Sequence, residues 1–239
     1  MSDTVKTSKL RQEIKHDEVS NNFWDGFEYG AGMSDRYNYI ELCGNSYVAS
    51  QWTVTNTQAA TEAVAATGDG FLSLPTVGDS ENDITLLQLG GSSSEPFSCV
   101  AGKKLWFGAA FKCDEATQVD IIAGLTDVDT GIPAAQPSGG LFFWKGDGGT
   151  GLDFYSIGAS ATSSETGLET FAAGTVYLCQ FRVTGTSLVE YWVNNVYKGS
   201  ITANIPTEAL TISIGQADGD GTGGADILSL RNVYCYQER

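Results

Sequence analysis

From Phe23 onward, apolar and polar positions alternate in short blocks. YVASQWTV, GFLSLP, DITLLQL, KLWFGAAFK, QVDIIAGLT, GLFFW, LDFYSIG, TVYLCQFRVT, LVEYWV, LTISIG and DILSLRNVYCYQ are rich in Val, Ile, Phe, Tyr and Trp. Gly, Asn, Asp and Ser separate them, which is the pattern of strands joined by turns. In TVYLCQFRVT, the residues Tyr177, Cys179, Phe181 and Val183 share one face, with Gln180 and Arg182 opposite. TGTS at 184–187 predicts a turn. Asn194-Asn195 predicts a tight hairpin, because Asn tolerates positive φ. TQAATEAVAAT (57–67) lacks long apolar residues, so a loop or one short helix is expected there.

Residues 1–20 differ in kind. Val5, Lys9, Leu10, Glu13 and Ile14 allow a short, weakly amphipathic helix that is marginal on its own. About a dozen strands with frequent turn signals, no βαβ alternation and no 20–50-residue repeat predict one all-β domain over 21–239. It is expected to be a two-sheet antiparallel jelly-roll sandwich, preceded by an N-terminal arm at 1–20.

Charge narrows the partners. The chain of 239 residues carries a formal net charge of −16. The arm is balanced: Lys6, Lys9, Arg11 and Lys15 stand against Asp3, Glu13, Asp17 and Glu18. The body therefore bears the whole excess, which repels phosphate backbones and anionic lipid. Neither nucleic acid nor a membrane is expected as partner, and no apolar run has the roughly 20 residues of a membrane span. The arm lacks the apolar stretch of a secretory signal, so assembly in a cytoplasm is expected. Cys43, Cys99, Cys113, Cys179 and Cys235 are dispersed and read as buried free thiols.

Several runs, taken in order, resemble the concanavalin A-like lectin/laminin-G jelly roll, in particular the version found in virion proteins of tailed bacteriophages. They are Phe23-Trp24-Asp25-Gly26-Phe27, GFLSLP, KKLWFGAAFK (103–112), IIAGLTDVD (121–129), GGLFFWKGDG (139–148), VEYWVNNVYKG (189–199) and the closing DILSLRNVYCYQER. The resemblance covers about residues 21–239. It implies first and last strands side by side, with Phe27 near Val233.

Candidate chemistry is sparse. Gly148-Gly149-Thr150-Gly151-Leu152-Asp153 fits a calcium-binding nonapeptide once, but such sites need tandem copies, so a β-hairpin loop is the expected structure, with Asp147 capping the turn. The loop Asp218-Gly219-Asp220-Gly221-Thr222-Gly223-Gly224-Ala225-Asp226 has better hard-cation chemistry, and Asp218, Asp220 and Asp226 are the calcium candidates against a plain hydrated turn. Asp127 and Asp129 are weaker ones. His16 is the only histidine and lies in the arm, against a histidine triad or a histidine-rich metal centre. The E-x-D-x-x-E strand of jelly-roll glucanases is absent, and Glu165 and Glu169 are expected in a loop. Trp24, Trp52, Trp106, Trp144 and Trp192 offer either a sugar-stacking platform or core packing.

Taken with the missing secretion signal and catalytic constellation, the resemblance to virion jelly rolls implies a non-enzymatic, cofactor-free phage virion protein, a capsid decoration (cement) or head-surface protein. Leu10 and Ile14 would dock the arm on the major capsid protein. Lys6, Lys9, Arg11 and Lys15 would meet acidic capsid surface, in a trimer or dimer. The alternatives are a glycan-binding, lectin-like adhesion module on the virion and a jelly-roll glycoside hydrolase.

Overall fold

The computed structural model describes residues 37–41 (backbone only), 47–57, 64–67, 69–76, 80–90, 95–158, 161–221 and 226–238. Two antiparallel sheets stack face to face. The eight-stranded sheet runs β13 (Val196–Ile201), β12 (Leu188–Val193), β11 (Tyr177–Thr184), β6 (Lys104–Cys113), β15 (Ile227–Gln237), β4 (Leu72–Pro75) and β3 (Ala65–Ala66), and β1 (Tyr37–Glu41) also pairs with β15. The seven-stranded sheet runs β10 (Ala161–Thr170), β9 (Gly151–Gly158), β8 (Gly140–Lys145), β7 (Val119–Thr126), β14 (Thr211–Asp218), β5 (Ile84–Leu89) and β2 (Trp52–Asn56). Among the described residues the only helical piece is a 3-10 turn at Ala49–Gln51, and no described helix is long and apolar enough to cross a membrane. The expected jelly-roll sandwich is what forms.

Alternation along each strand sorts side chains between an inner and an outer face. Tyr177, Cys179, Phe181 and Val183 point inward, as do Val119, Ile121, Ala123 and Leu125 from the facing sheet. An aromatic chain knits the layers: Phe154 stacks on Tyr191 at 4.5 Å and meets Phe181 edge-on at 5.6 Å, and Phe181 stacks on Phe107 at 5.0 Å. Cys99, Cys113, Cys179 and Cys235 are free and buried; Cys43 lies outside the described residues.

The predicted turns hold. Asn194 and Asn195 have φ of 52° and 64°, giving the two left-handed residues of a tight hairpin, and Gly185 turns the chain in TGTS with φ 62°. The first described strand lies beside the last, with Glu41 opposite Val233; Phe27 lies outside the described residues. So does most of 57–67, whose described end supplies β3.

One expectation fails. The segment holding Glu165 and Glu169 is not a loop but β10, an edge strand paired with β9 through a bulge between those two residues. Gly167 sits at the bulge with φ 69°, and its N–H donates to Asp153 Oδ1 at 2.7 Å. An edge strand needs a partner on one side only, so a run of Ser and Thr with few apolar anchors suffices.

Candidate functional site

The outer face of the seven-stranded sheet carries a second apolar cluster, separate from the inter-sheet core. Ile84, Leu86, Ile122, Phe142, Trp144, Ile157 and Ala217 form it, and Ile132 reaches in from the loop 127–139. That loop is pinned by Asp127, whose carboxylate accepts from Ser138 Oγ at 2.5 Å and Gly139 N at 3.2 Å. Asp129 accepts from Gly131 N at 2.8 Å. Both aspartates, weak cation candidates in the sequence, are thus used by their own loop.

An aromatic row crosses this face. Tyr155 of β9 stacks on Phe142 of β8 at 5.5 Å with an 8° interplanar angle, and Phe142 meets Trp144 edge-on at 6.4 Å. Phe142 is fully buried, Trp144 is 8% exposed and Tyr155 is half-buried. Beyond Tyr155 lies the hydroxyl-rich β10, with Ser164 directly opposite it. Of the three rings only Tyr155 keeps a partly open face, backed by the buried Phe142 and Trp144 and bordered by the polar β10. An accessible aromatic ring beside hydroxyls suits a carbohydrate.

At its other end the row meets Asp120. Alternation in β7 puts Asp120 on the same outer face as Ile122. Its Oδ1 accepts the Asp147 N–H at 3.0 Å. Burial pushes the Asp120 carboxyl up to about 6; the Asp147 N–H and the Lys145 ammonium oppose that, and the Asp147 charge adds to it. Lys145 turns the other way, into the end of the sandwich. It is fully buried, donates to Thr117 O at 2.8 Å and Val119 O at 2.7 Å, and is pulled down to about 8 by burial.

The stretch KGDGGTG is the hairpin between β8 and β9. Gly148, with φ 69°, donates its N–H to Thr117 O, and the Asp153 carboxylate is engaged by Gly167. Asp147 closes this turn through its backbone N–H to Asp120, not by capping its own backbone. In the acidic loop, Asp218 Oδ1 accepts from Asp220 N at 2.9 Å and Gly221 N at 2.8 Å. Burial, with Asp218, Asp114, Glu115 and Asp220 nearby, pushes the Asp226 carboxyl up to about 7. No group of three or more His, Cys, Asp or Glu able to hold a metal occurs among the described residues.

Of the described tryptophans, only Trp52 joins the inter-sheet core. Trp106 and Trp192 sit on the outer face of the eight-stranded sheet, where the Arg182 guanidinium lies 5.9 Å from the Trp192 ring. Trp24, His16 and the arm residues Lys6, Lys9, Leu10, Arg11, Ile14 and Lys15 lie outside the described residues. Sequence reasoning passed over Asp120 and Tyr155. Its missed signal was a lone acid inside the apolar run VDIIAGL.

No protein-family model matches the chain, and no curated protein does. Solved structures do. An alginate lyase of polysaccharide lyase family 7 superposes with a TM-score of 0.55 at 15% identity, over 77% of this chain and 94% of that one. The β-glucanase of Bacillus licheniformis gives 0.61 at 15%, over 84% and 98%. The carbohydrate recognition domain of Emp47p gives 0.56 at 13%, over 88% and 100%. The expectation of a non-enzyme is corrected by this comparison. Two of these three neighbours are enzymes, so this architecture is no argument against catalysis. What the likeness establishes for the chain itself is its fold, the concanavalin A-like jelly roll.

Proposed function

We propose that this chain is a carbohydrate-binding jelly roll that takes a neutral polysaccharide on the outer face of its seven-stranded sheet. The carrying observation is the half-exposed Tyr155 ring, stacked on buried Phe142 and bordered by the hydroxyls of β10. Sugar rings present apolar C–H faces to aromatic rings and hydroxyls to the polar margin. The named activities of the solved neighbours, on alginate, on β-glucan and as a carbohydrate recognition domain, support this class of ligand. They lend no support to a capsid-cement role. The net charge of −16 disfavours a polyanion such as alginate and leaves neutral chains. An adhesion module carried on a phage virion, held there by residues 1–20, is the finer form of this proposal and rests on the sequence resemblance.

Calorimetric titration with mixed-linkage β-glucan, xylan, chitin oligosaccharides and alginate tests the proposal. Saturable binding to a neutral glycan is expected, weakened at least tenfold by Tyr155→Ala with the thermal midpoint nearly unchanged. No binding to any of the four, or binding indifferent to Tyr155→Ala, overturns it. Shortened products in the same mixtures would extend the function to cleavage.

A further inference from the structure

The cross-strand position beside Asp120 on the outer face is occupied by Gly146, one step beyond the pair Ile121–Lys145. A Cβ placed on Gly146 would have as its nearest neighbours Trp144 Nε1 at 3.1 Å, Asp120 Oδ1 at 3.9 Å and the indole carbon Cδ1 at 3.9 Å. The backbone φ of Gly146 is not in the left-handed region. Glycine is therefore not required there by the chain's path. What its missing side chain leaves is a notch, walled by an indole N–H on one side and a carboxylate on the other.

Both walls are built rather than loose. Trp144 is 8% exposed and Asp120 is 7% exposed, so each side chain is held by its surroundings. Among the described residues the Trp144 indole N–H makes no hydrogen bond. Asp120 spends only Oδ1, on Asp147 N, and Oδ2 accepts nothing. Neither free atom is sealed from solvent, and Gly146 itself is half-exposed, so the notch opens outward. The unspent Trp144 N–H and the Asp120 carboxylate, which has accepting capacity left beyond its bond to Asp147 N, are fixed on either side of this notch. A donor so placed beside an acceptor matches one chemical object: a pair of neighbouring hydroxyls on a sugar ring. One hydroxyl accepts from Trp144 Nε1 and its neighbour donates to the Asp120 carboxylate.

We infer that the Gly146 notch is a sugar-hydroxyl subsite, in which Trp144 Nε1 and the Asp120 carboxylate fix the orientation of one ring of a glycan whose chain reaches the half-exposed face of Tyr155. The inference rests on the proposed glycan site and adds its specificity-determining residues. Such a subsite selects rings with two adjacent free hydroxyls, because a methylated hydroxyl leaves a buried polar wall unpaired. It also disfavours a uronate, whose carboxylate would face Asp120.

Three variants act on the notch separately. Gly146→Ala fills it, Trp144→Phe keeps a ring but removes the N–H, and Asp120→Asn keeps the shape but changes the acceptor. The neutral glycan that binds best in the four-polysaccharide panel is the probe, and its partly O-methylated form is the control. Each variant should lose about tenfold or more in affinity while its near-ultraviolet circular dichroism stays that of the wild type. The methylated probe should bind the wild type weakly and should bind Gly146→Ala no worse than the unmodified probe does. If Tyr155→Ala weakens binding but all three notch variants bind like the wild type, the subsite is overturned and the platform stands. If the wild type binds none of the four polysaccharides, the platform itself falls and the subsite with it. A shift of the Trp144 indole N–H resonance on adding the probe, assigned by its loss in Trp144→Phe, is expected. An unmoved resonance at saturation counts against the subsite, and it needs no variant of altered stability.

Discussion

Lys198 of β13 and Glu169 of β10 meet at 3.0 Å, tying the outermost strand of one sheet to the outermost strand of the other. The pair closes a flank that no strand pairing closes. Both side chains keep contact with water, so the tie is worth at most about 1 kcal/mol. The hydrogen bond from Lys198 holds the Glu169 carboxyl below its ordinary value. A depressed carboxylate stabilises the folded state above the unfolded pKa and loses that contribution as pH falls through the folded one. Glu169→Gln should therefore lower the urea midpoint slightly at pH 7, and its difference from the wild type should shrink as pH falls below the ordinary carboxylate range. Amide exchange in β10 should quicken in the variant while β7 stays unchanged.

Asp120 has the opposite sign. Its carboxyl is raised to about 6 by burial, with the Asp147 charge adding to the rise and Lys145 and the Asp147 N–H opposing it. Between about pH 4 and pH 6 the folded chain holds a proton that the unfolded chain has released, so this residue makes stability fall as pH rises through that window. Asp120→Asn removes the buried charge and keeps an oxygen for Asp147 N. It should raise unfolding free energy by about 1–3 kcal/mol at pH 8 and leave it nearly unchanged at pH 4. Equal effects at the two pH values would mean that the carboxyl titrates normally.

The sandwich was legible because its strands advertise themselves: β11 alternates Tyr177, Cys179, Phe181 and Val183 against Gln180 and Arg182, and β7 and β8 are nearly all apolar. β10 was not, since ATSSETGLET has neither alternation nor bulk and is a strand only because β9 offers its edge. The candidate site was half legible. Asp120 stands out as an acid within VDIIAGL, and GLFFW supplies the aromatic floor. Gly146, by contrast, reads as one more hairpin glycine. Its meaning comes from register, which sets it beside Asp120 and under the Trp144 indole, and no local pattern encodes which residue of one strand faces which of the next.

Gly124 in the middle of β7 tests how closely the strands beneath the aromatic row approach. A Cβ there would lie 2.4 Å from Leu141 O and 2.5 Å from Phe142 Cα, both backbone atoms of β8 that cannot swing aside. Gly124→Ala should destabilise by roughly 3 kcal/mol, at the upper end of overpacking costs. It should also weaken glycan binding, because Phe142 is the central ring of the row. Gly149→Ala has open space around it and should stay within about 0.5 kcal/mol of the wild type. Comparing the two by chemical denaturation separates crowding from a general intolerance of lost glycine.

The β12–β13 hairpin carries a different kind of strain, since Asn194 and Asn195 both sit at positive φ and neither is glycine. The Asn194 side chain also fastens the turn to β11, its Oδ1 accepting the Leu178 N–H at 2.9 Å. Asn195→Gly relieves the left-handed φ at that position and leaves the Asn194 bond in place, so it should cost less than Asn194→Ala. Asn194→Ala keeps the unfavourable φ and deletes the acceptor, so a loss of about 1–2 kcal/mol is expected. Asn194→Asp keeps the acceptor and should recover most of that loss at neutral pH. If Asn194→Ala and Asn194→Asp unfold at the same urea concentration, the side-chain bond contributes nothing, and the turn is held by backbone conformation alone.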